Sequence, residues 1–144
     1  MSKTDKQFER INAIIGEDND DFGEAVTLFV KHLKANLKLP CEVKGIEDFR
    51  WEEPYILGGW SKKDYEKLKK TQPSYSDRYQ LLDLKPLGYS EWMMCGGEDI
   101  AAHVQRISDG KKFVLGLSES KATDKKSSNF QLIEDYAVFF WNYR

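Results

Sequence analysis

Carboxylates are the residues of this chain best suited to chemistry. Glu47, Asp48, Glu52 and Glu53 crowd one segment, interleaved with Phe49, Trp51 and Tyr55. Glu98 and Asp99 form a second pair, and Asp124 follows further on. Hard oxygen donors in such numbers suit calcium, which takes six to eight oxygens at about 2.3–2.6 Å. The two segments would have to meet in space to supply that set. The competing reading is a solvated acidic face paired with Arg50 or Lys44. A third cluster, Asp18-Asn19-Asp20, does not make an EF-hand. Counted from Asp18, Phe22 falls on a ligand position and Phe29 where the bidentate Glu belongs. Helix capping accounts for those acids.

Other chemistries are thinner. His32 and His103 are the only histidines, and neither has partners at metal-ligand spacing. Cys41 and Cys95 lie far apart, so free thiols in a reducing compartment are expected. A Cys95–His103 pair could form a nucleophile and base meeting in space, but Cys95 follows Trp92-Met93-Met94, which reads as core. Lys62, Lys63, Lys67, Lys69 and Lys70, with Tyr65, Tyr75, Arg78 and Tyr79, form one basic aromatic region. Single strands bind such surfaces by stacking and backbone charge, yet Asp64, Glu66 and Asp77 interrupt it. Trp51, Tyr55 and Trp60 could instead dock a protein partner. There is no phosphate loop, nucleotide fingerprint or nucleophile elbow, so an enzyme is not expected.

Composition bounds the class. The chain has 144 residues, 40% hydrophobic and 13% aromatic, enough for a core. Its 22 basic and 24 acidic residues leave a net charge of −2, which argues against general nucleic-acid affinity. The longest apolar run falls far below the ~18 residues of a membrane helix, and residues 1–10 lack the apolar core of a signal peptide. A cytoplasmic location is expected.

The elements that must position these groups follow from periodicity and turn chemistry. Helices are expected over 6–15 and from Asp21, the latter striped by Phe22, Val26, Phe29, Leu33 and Leu37. A first strand spans 39–46. Ser61 caps a charged helix over 62–70, and strands follow over 79–84 and 92–95. The hairpin runs from 100 to 107, turns at Asp109-Gly110 as a two-residue loop, and returns over 112–118. In the tail, Phe130, Ile133, Ala137, Phe140 and Trp141 recur at helical steps, with Ser128 and Gln131 in capping-box form. Residues 136–141 are also good strand material; the start signal and spacing favour helix. The fold class is α+β: a small, strongly bent antiparallel sheet or SH3-like partly open barrel, with helices at both ends. Residues 1–38 form an amino-terminal helical segment packed on a main domain, 39–144, that carries a helical insertion near 58–90.

One family fits this order. A first strand opens Leu39-Pro40-Cys41-Glu42-Val43, and acids Glu98-Asp99 precede a hairpin. The hairpin returns through Leu115-Gly116-Leu117-Ser118-Glu119 and exits by Lys121-Ala122-Thr123-Asp124, before the aromatic helix Asp135–Trp141. This resembles the small calcium-binding proteins of the CcbP type, described from cyanobacteria, over roughly residues 37 to 144. The resemblance implies a barrel-like sheet with helices, no EF-hand, and calcium held by surface carboxylates. Such proteins are strongly acidic, whereas this chain is nearly neutral. The expected function is reversible calcium binding, as buffer or sensor, through Glu47, Asp48, Glu52, Glu53, Glu98 and Asp99. The alternatives are a metal-free protein-interaction module using Trp51, Tyr55 and Trp60, and a single-strand nucleic-acid binder.

Overall fold

The computed structural model describes residues 3–88 and 98–143. The strand expected over 92–95, with Cys95, lies outside them. Helices α1 (Lys3–Ile15) and α2 (Phe22–Asn36) come first. Asp21 caps α2, its Oδ1 accepting from the Glu24 amide at 3.1 Å, which satisfies a first-turn donor that has no partner inside the helix. Val26, Phe29 and Leu33 are fully buried along one stripe, with Phe22 and Leu37 half-buried at its ends.

Strand β1 (Cys41–Gly45) follows, then a 3₁₀ turn (Arg50–Glu52) leading into α3 (Glu53–Ile56). Ser61 caps α4 (Lys62–Leu68), accepting from the Asp64 amide. Strand β2 (Tyr79–Gly88) outruns the expected 79–84 and passes Pro86. Its register on the next strand slips between Lys85 and Gly88, where the proline has no amide to offer the ladder.

Strands β3 (Asp99–Arg106) and β4 (Lys112–Gly116) make the expected hairpin, with a wider turn. The Arg106 amide donates to the Lys111 carbonyl at 2.7 Å, and the Gly110 amide to the Arg106 carbonyl at 2.8 Å. The loop is therefore the four residues 107–110 rather than two, and Gly110 takes φ +75° within it. A 3₁₀ turn (Leu117–Glu119) leads to β5 (Ser120–Ala122), and the tail is helix α5 (Ser128–Tyr143). Its first turn is capped one residue earlier than expected: Ser127 Oγ accepts from the Asn129 amide at 3.1 Å.

The sheet is antiparallel throughout, in the order β4-β3-β2-β1-β5. Strands β4 and β5 are its edges, so of the two forms expected the open sheet, not a barrel, is observed. Helices α1, α2 and α5 pack on one another, with α2 against β2 and α5 against β5. Rings fill the seam: Phe22 stacks on Phe139 at 5.3 Å, and Phe29 meets Phe139 at 4.9 Å and the edge of Tyr136 at 5.4 Å. Such pairs contribute about 0.5–1.5 kcal/mol each beyond burial. Leu82, Asp83 and Lys85 of β2 are exposed, as expected for a sheet wet on one face.

Arg106 locks the segment after α4 to this hairpin. Its guanidinium is 2% exposed and donates to the carbonyls of Lys69, Lys70 and Gln72 and to the carboxylates of Asp77 and Asp109, all within 3.1 Å. Sequence reasoning did not single it out, because its acceptors are mostly main-chain atoms some thirty-five residues away.

Candidate functional site

The end of β1 sets the geometry. The Gly45 amide donates to the Tyr75 carbonyl at 3.0 Å, and the Ile46 amide to the Glu119 carbonyl at 2.9 Å. This second bond lays Glu47 and Asp48 beside the 3₁₀ turn that carries Ser118 and Glu119. Glu53, at the start of α3, and Trp141, on α5, complete a cleft of about 320 Å³. The Trp141 indole donates to the Ser118 carbonyl at 3.1 Å, which fixes that wall. Four carboxylate residues thus line one concavity: Glu47, Asp48 and Glu53 from the expected set, and Glu119 in addition. Glu119 stood within the motif that suggested the family but was not singled out as a ligand. The pairing of β1 with β5 and the Ile46–Glu119 bond that continues it, over seventy residues apart in sequence, bring it here.

The other three expected ligands lie elsewhere. Glu52 is fully buried. Its Oε1 accepts from the Phe49 and Tyr75 amides at 3.1 and 2.8 Å, and its Oε2 from Tyr65 Oη and Ser74 Oγ at 2.5 and 2.6 Å. Burial and this carboxylate push the Tyr65 hydroxyl well above its ordinary range. Asp99 is 3% exposed. It accepts from the Ile100 amide at 2.7 Å, Ser118 Oγ at 2.5 Å, Tyr136 Oη at 2.6 Å and the Ser118 amide at 3.2 Å. Burial pushes its carboxyl upward, against the pull of those donors. Both groups spend their oxygens on protein donors. Glu98 is exposed next to Asp99 and is not among the residues lining the cleft.

The aromatic set forms its own cluster. Tyr55 stacks on Tyr65 at 5.6 Å, Trp51 lies 5.6 Å from Tyr65, and Trp60 meets the edge of Tyr55 at 5.3 Å. Trp51 donates to the Pro73 carbonyl at 2.6 Å, so it is a structural post. The outer end is apolar and wet: Leu57 is 74% exposed, Trp60 59% and Ile56 41%. In the basic region, Tyr79 is fully buried with its hydroxyl on the Ser74 carbonyl at 2.7 Å, so that ring offers nothing to a base.

Calcium asks for hard oxygens, and the cleft supplies carboxylates of that kind. Among the described residues, however, no group of three or more His, Cys, Asp or Glu side chains is arranged to hold a metal. The cleft has the right chemistry without the gathered geometry. Neither histidine joins it: His32 faces Asn36 on α2, and His103 sits in β3 opposite Asp83. Burial pushes the Cys41 thiol up to about 11, against the nucleophilic thiolate form.

No known family profile matches the chain, and no curated protein does. Two solved structures do. One is the crystal structure of CcbP from Anabaena, 18% identical, at a TM-score of 0.59, with 97% of this chain and 93% of that one covered. The other is a calcium-binding protein in its calcium-binding form, again 18% identical at a TM-score of 0.59, covering 98% and 96%. The likeness takes in the amino-terminal helices as well as the span from residue 37 onward. This chain is thus built on the fold of CcbP: amino-terminal helices, an open antiparallel sheet and a carboxy-terminal helix.

Proposed function

We propose that this protein binds calcium reversibly, as a buffer or sensor, in the cleft between the β1–α3 loop and the 3₁₀ turn before β5. The observation that carries the reading is the convergence of Glu47, Asp48, Glu53 and Glu119 on one concave wall. The shared fold supports it, since one structural neighbour is a calcium-binding protein in its calcium-binding form. The acids act as ligands only, and no turnover is implied. Because the carboxylates must gather before they can coordinate together, binding belongs at the weak end of protein calcium sites, roughly 10⁻⁴ to 10⁻³ M. Calorimetric titration of chelator-stripped protein, with magnesium present, tests this. The expected result is one saturable site, a raised melting temperature and a change in Trp141 emission. Asp48→Asn and Glu53→Gln should each weaken it. Absence of heat and of any thermal shift at about 10 mM calcium, well above that range, removes the reading.

A second reading rests on the exposed apolar end of the aromatic cluster, Ile56, Leu57 and Trp60. Contiguous apolar surface of this kind marks protein-docking sites. Trp60→Ser and Leu57→Ser together should then abolish capture of a partner without changing calcium heats.

A further inference from the structure

Asp99 is a buried carboxylate whose bonds end at one wall of the acidic cleft. It opens β3, is 3% exposed, and is not among the residues that line the cleft. Ser118 stands between the two. Ser118 lines the cleft, and its Oγ donates to Asp99 Oδ2 at 2.5 Å while its amide donates to Asp99 Oδ1 at 3.2 Å. The carbonyl of Ser118 accepts from the Trp141 indole. On either side, the Ser120 amide donates to the Leu117 carbonyl, Ser120 Oγ to the Gly116 carbonyl at 3.1 Å, and the Ile46 amide to the Glu119 carbonyl at 2.9 Å. Asp99 is itself held from behind: the Ile100 amide and the fully buried Tyr136 donate to its Oδ1 at 2.7 and 2.6 Å. The main chain of the 3₁₀ turn that carries Glu119 is therefore tied down along its whole length.

The opposite side of the cleft is built differently. Glu47 and Asp48 form a two-residue span between two anchors. One is the Ile46 amide on Glu119; the other is the fully buried Phe49, whose amide donates to Glu52 Oε1 at 3.1 Å. Among the described residues, neither Glu47 nor Asp48 makes a side-chain hydrogen bond or ion pair. We propose that Asp99 is a positioning residue for the cation: through Ser118 it holds the Glu119 side of the cleft fixed, and calcium is gathered by Glu47 and Asp48 moving onto that side. This rests on the calcium reading. A ligand ordered in advance costs less to recruit than one the ion must order, and groups that orient a metal's ligands account for about 10–100-fold in affinity. Asp99 acts without reaching the ion, because its oxygens are spent on the Ile100 and Ser118 amides and the Ser118 and Tyr136 hydroxyls.

The test separates position from charge. In Asp99→Asn, Oδ1 can keep the two amides and Tyr136, and the new amide group can donate to Ser118 Oγ. Asp99→Ala removes every one of these bonds. Calcium is titrated into the full chain at constant ionic strength, followed by the Trp141 indole and Glu119 amide resonances. The parent should saturate, Asp99→Ala should bind about 10–100-fold more weakly, and Asp99→Asn should stay within about threefold of the parent. Ser118→Ala, which loses the Oγ bond alone, should weaken binding about threefold; it decides the matter if Asp99→Ala does not fold. Arg106→Lys, destabilised at a residue outside the cleft lining, should bind as the parent does. On saturation, Cα and carbonyl shifts, which follow main-chain torsion, should change at 47 and 48 and hold at 117–119. An Asn variant as weak as the Ala variant would make Asp99 a ligand and overturn the proposal. So would a folded Asp99→Ala or Ser118→Ala that binds like the parent, an Arg106→Lys variant weakened to the same degree, or torsion changes at 117–119 as large as those at 47 and 48. Each of these leaves the calcium reading standing, because the parent binds; a parent that does not bind calcium removes both.

Discussion

Replacing Glu52 separates a buried acceptor from a metal ligand. In Glu52→Ala, the Phe49 and Tyr75 amides and the Ser74 and Tyr65 hydroxyls all lose their acceptor. A buried donor left without a partner costs about 1–3 kcal/mol. Ser74 can turn to Ser76 Oγ at 3.0 Å, and Tyr65 is half-buried and can turn to water. The two amides, with the emptied volume, then dominate, for a loss of about 3–5 kcal/mol. In a domain of this size each kcal/mol moves the midpoint by about 2–4 °C, so the melt should fall by roughly 10 °C. Glu52→Gln keeps one oxygen on the two amides and gives an amide group to two hydroxyls that can reverse their roles. Its cost should be smaller, about 1–2 kcal/mol. Thermal and urea melts give both numbers, and calorimetry on the Gln variant gives the calcium heat. That heat should match the parent protein's. A Glu52→Ala variant within about 1 kcal/mol of the parent, below the cost of even one orphaned donor, refutes the reasoning, as does a Gln variant of native stability that no longer binds calcium.

Arg106→Lys should cost about 3–5 kcal/mol, since one ammonium cannot reach three carbonyls and two carboxylates; amide exchange should quicken first in α4 and at 69–72. The same guanidinium holds the Asp109 carboxyl down to about 2. A depressed acid contributes stability above its ordinary value near 3.9 and loses it as pH falls through the folded one. Urea midpoints should therefore drop between about pH 4 and pH 2, and Asp109→Asn should flatten that part of the curve. Gly45→Ala should destabilise by about 1–3 kcal/mol, because a Cβ there would stand 2.7 Å from Tyr75 Cβ and 2.8 Å from Phe49 Cε1; a native melt for this variant would argue against that packing.

Much of the architecture was legible because it is local. The stripe of α2, the Ser61 cap and the place, though not the width, of the turn at Asp109-Gly110 are each written within about sixteen residues, and so was the choice of helix for the tail. Local cues also set the limits. Ser127, not Ser128, bonds the first turn of α5, and neighbouring serines are equivalent to a pattern. The site was less legible. In sequence, Glu47, Asp48, Glu52 and Glu53 are one acidic run. In space the chain passes through a 3₁₀ turn at Arg50–Glu52. Glu52 points inward to donors on residues 65, 74 and 75, while the others line the cleft. Asp99 is likewise drawn to Ser118 and Tyr136. Whether an acid is solvated or sequestered depends on donors far along the chain, which spacing does not reveal.

The strand order carries a consequence for biosynthesis. β1 lies between β2 and β5, and the rings that close the core over Phe29 belong to α5. During translation, β1 therefore emerges with one short edge unpaired and the part of the α2 stripe around Phe29 without the rings that cover it. The edge waits for residues 120–122, and the stripe for residues near 140, to leave the ribosome. Contacts of such long range slow folding, and an exposed strand edge beside an uncovered helix face is the kind of surface that aggregates. Nascent chains arrested before α5 should accordingly be held by chaperones and cut by proteases, and release of the last helix should be the step that ends both.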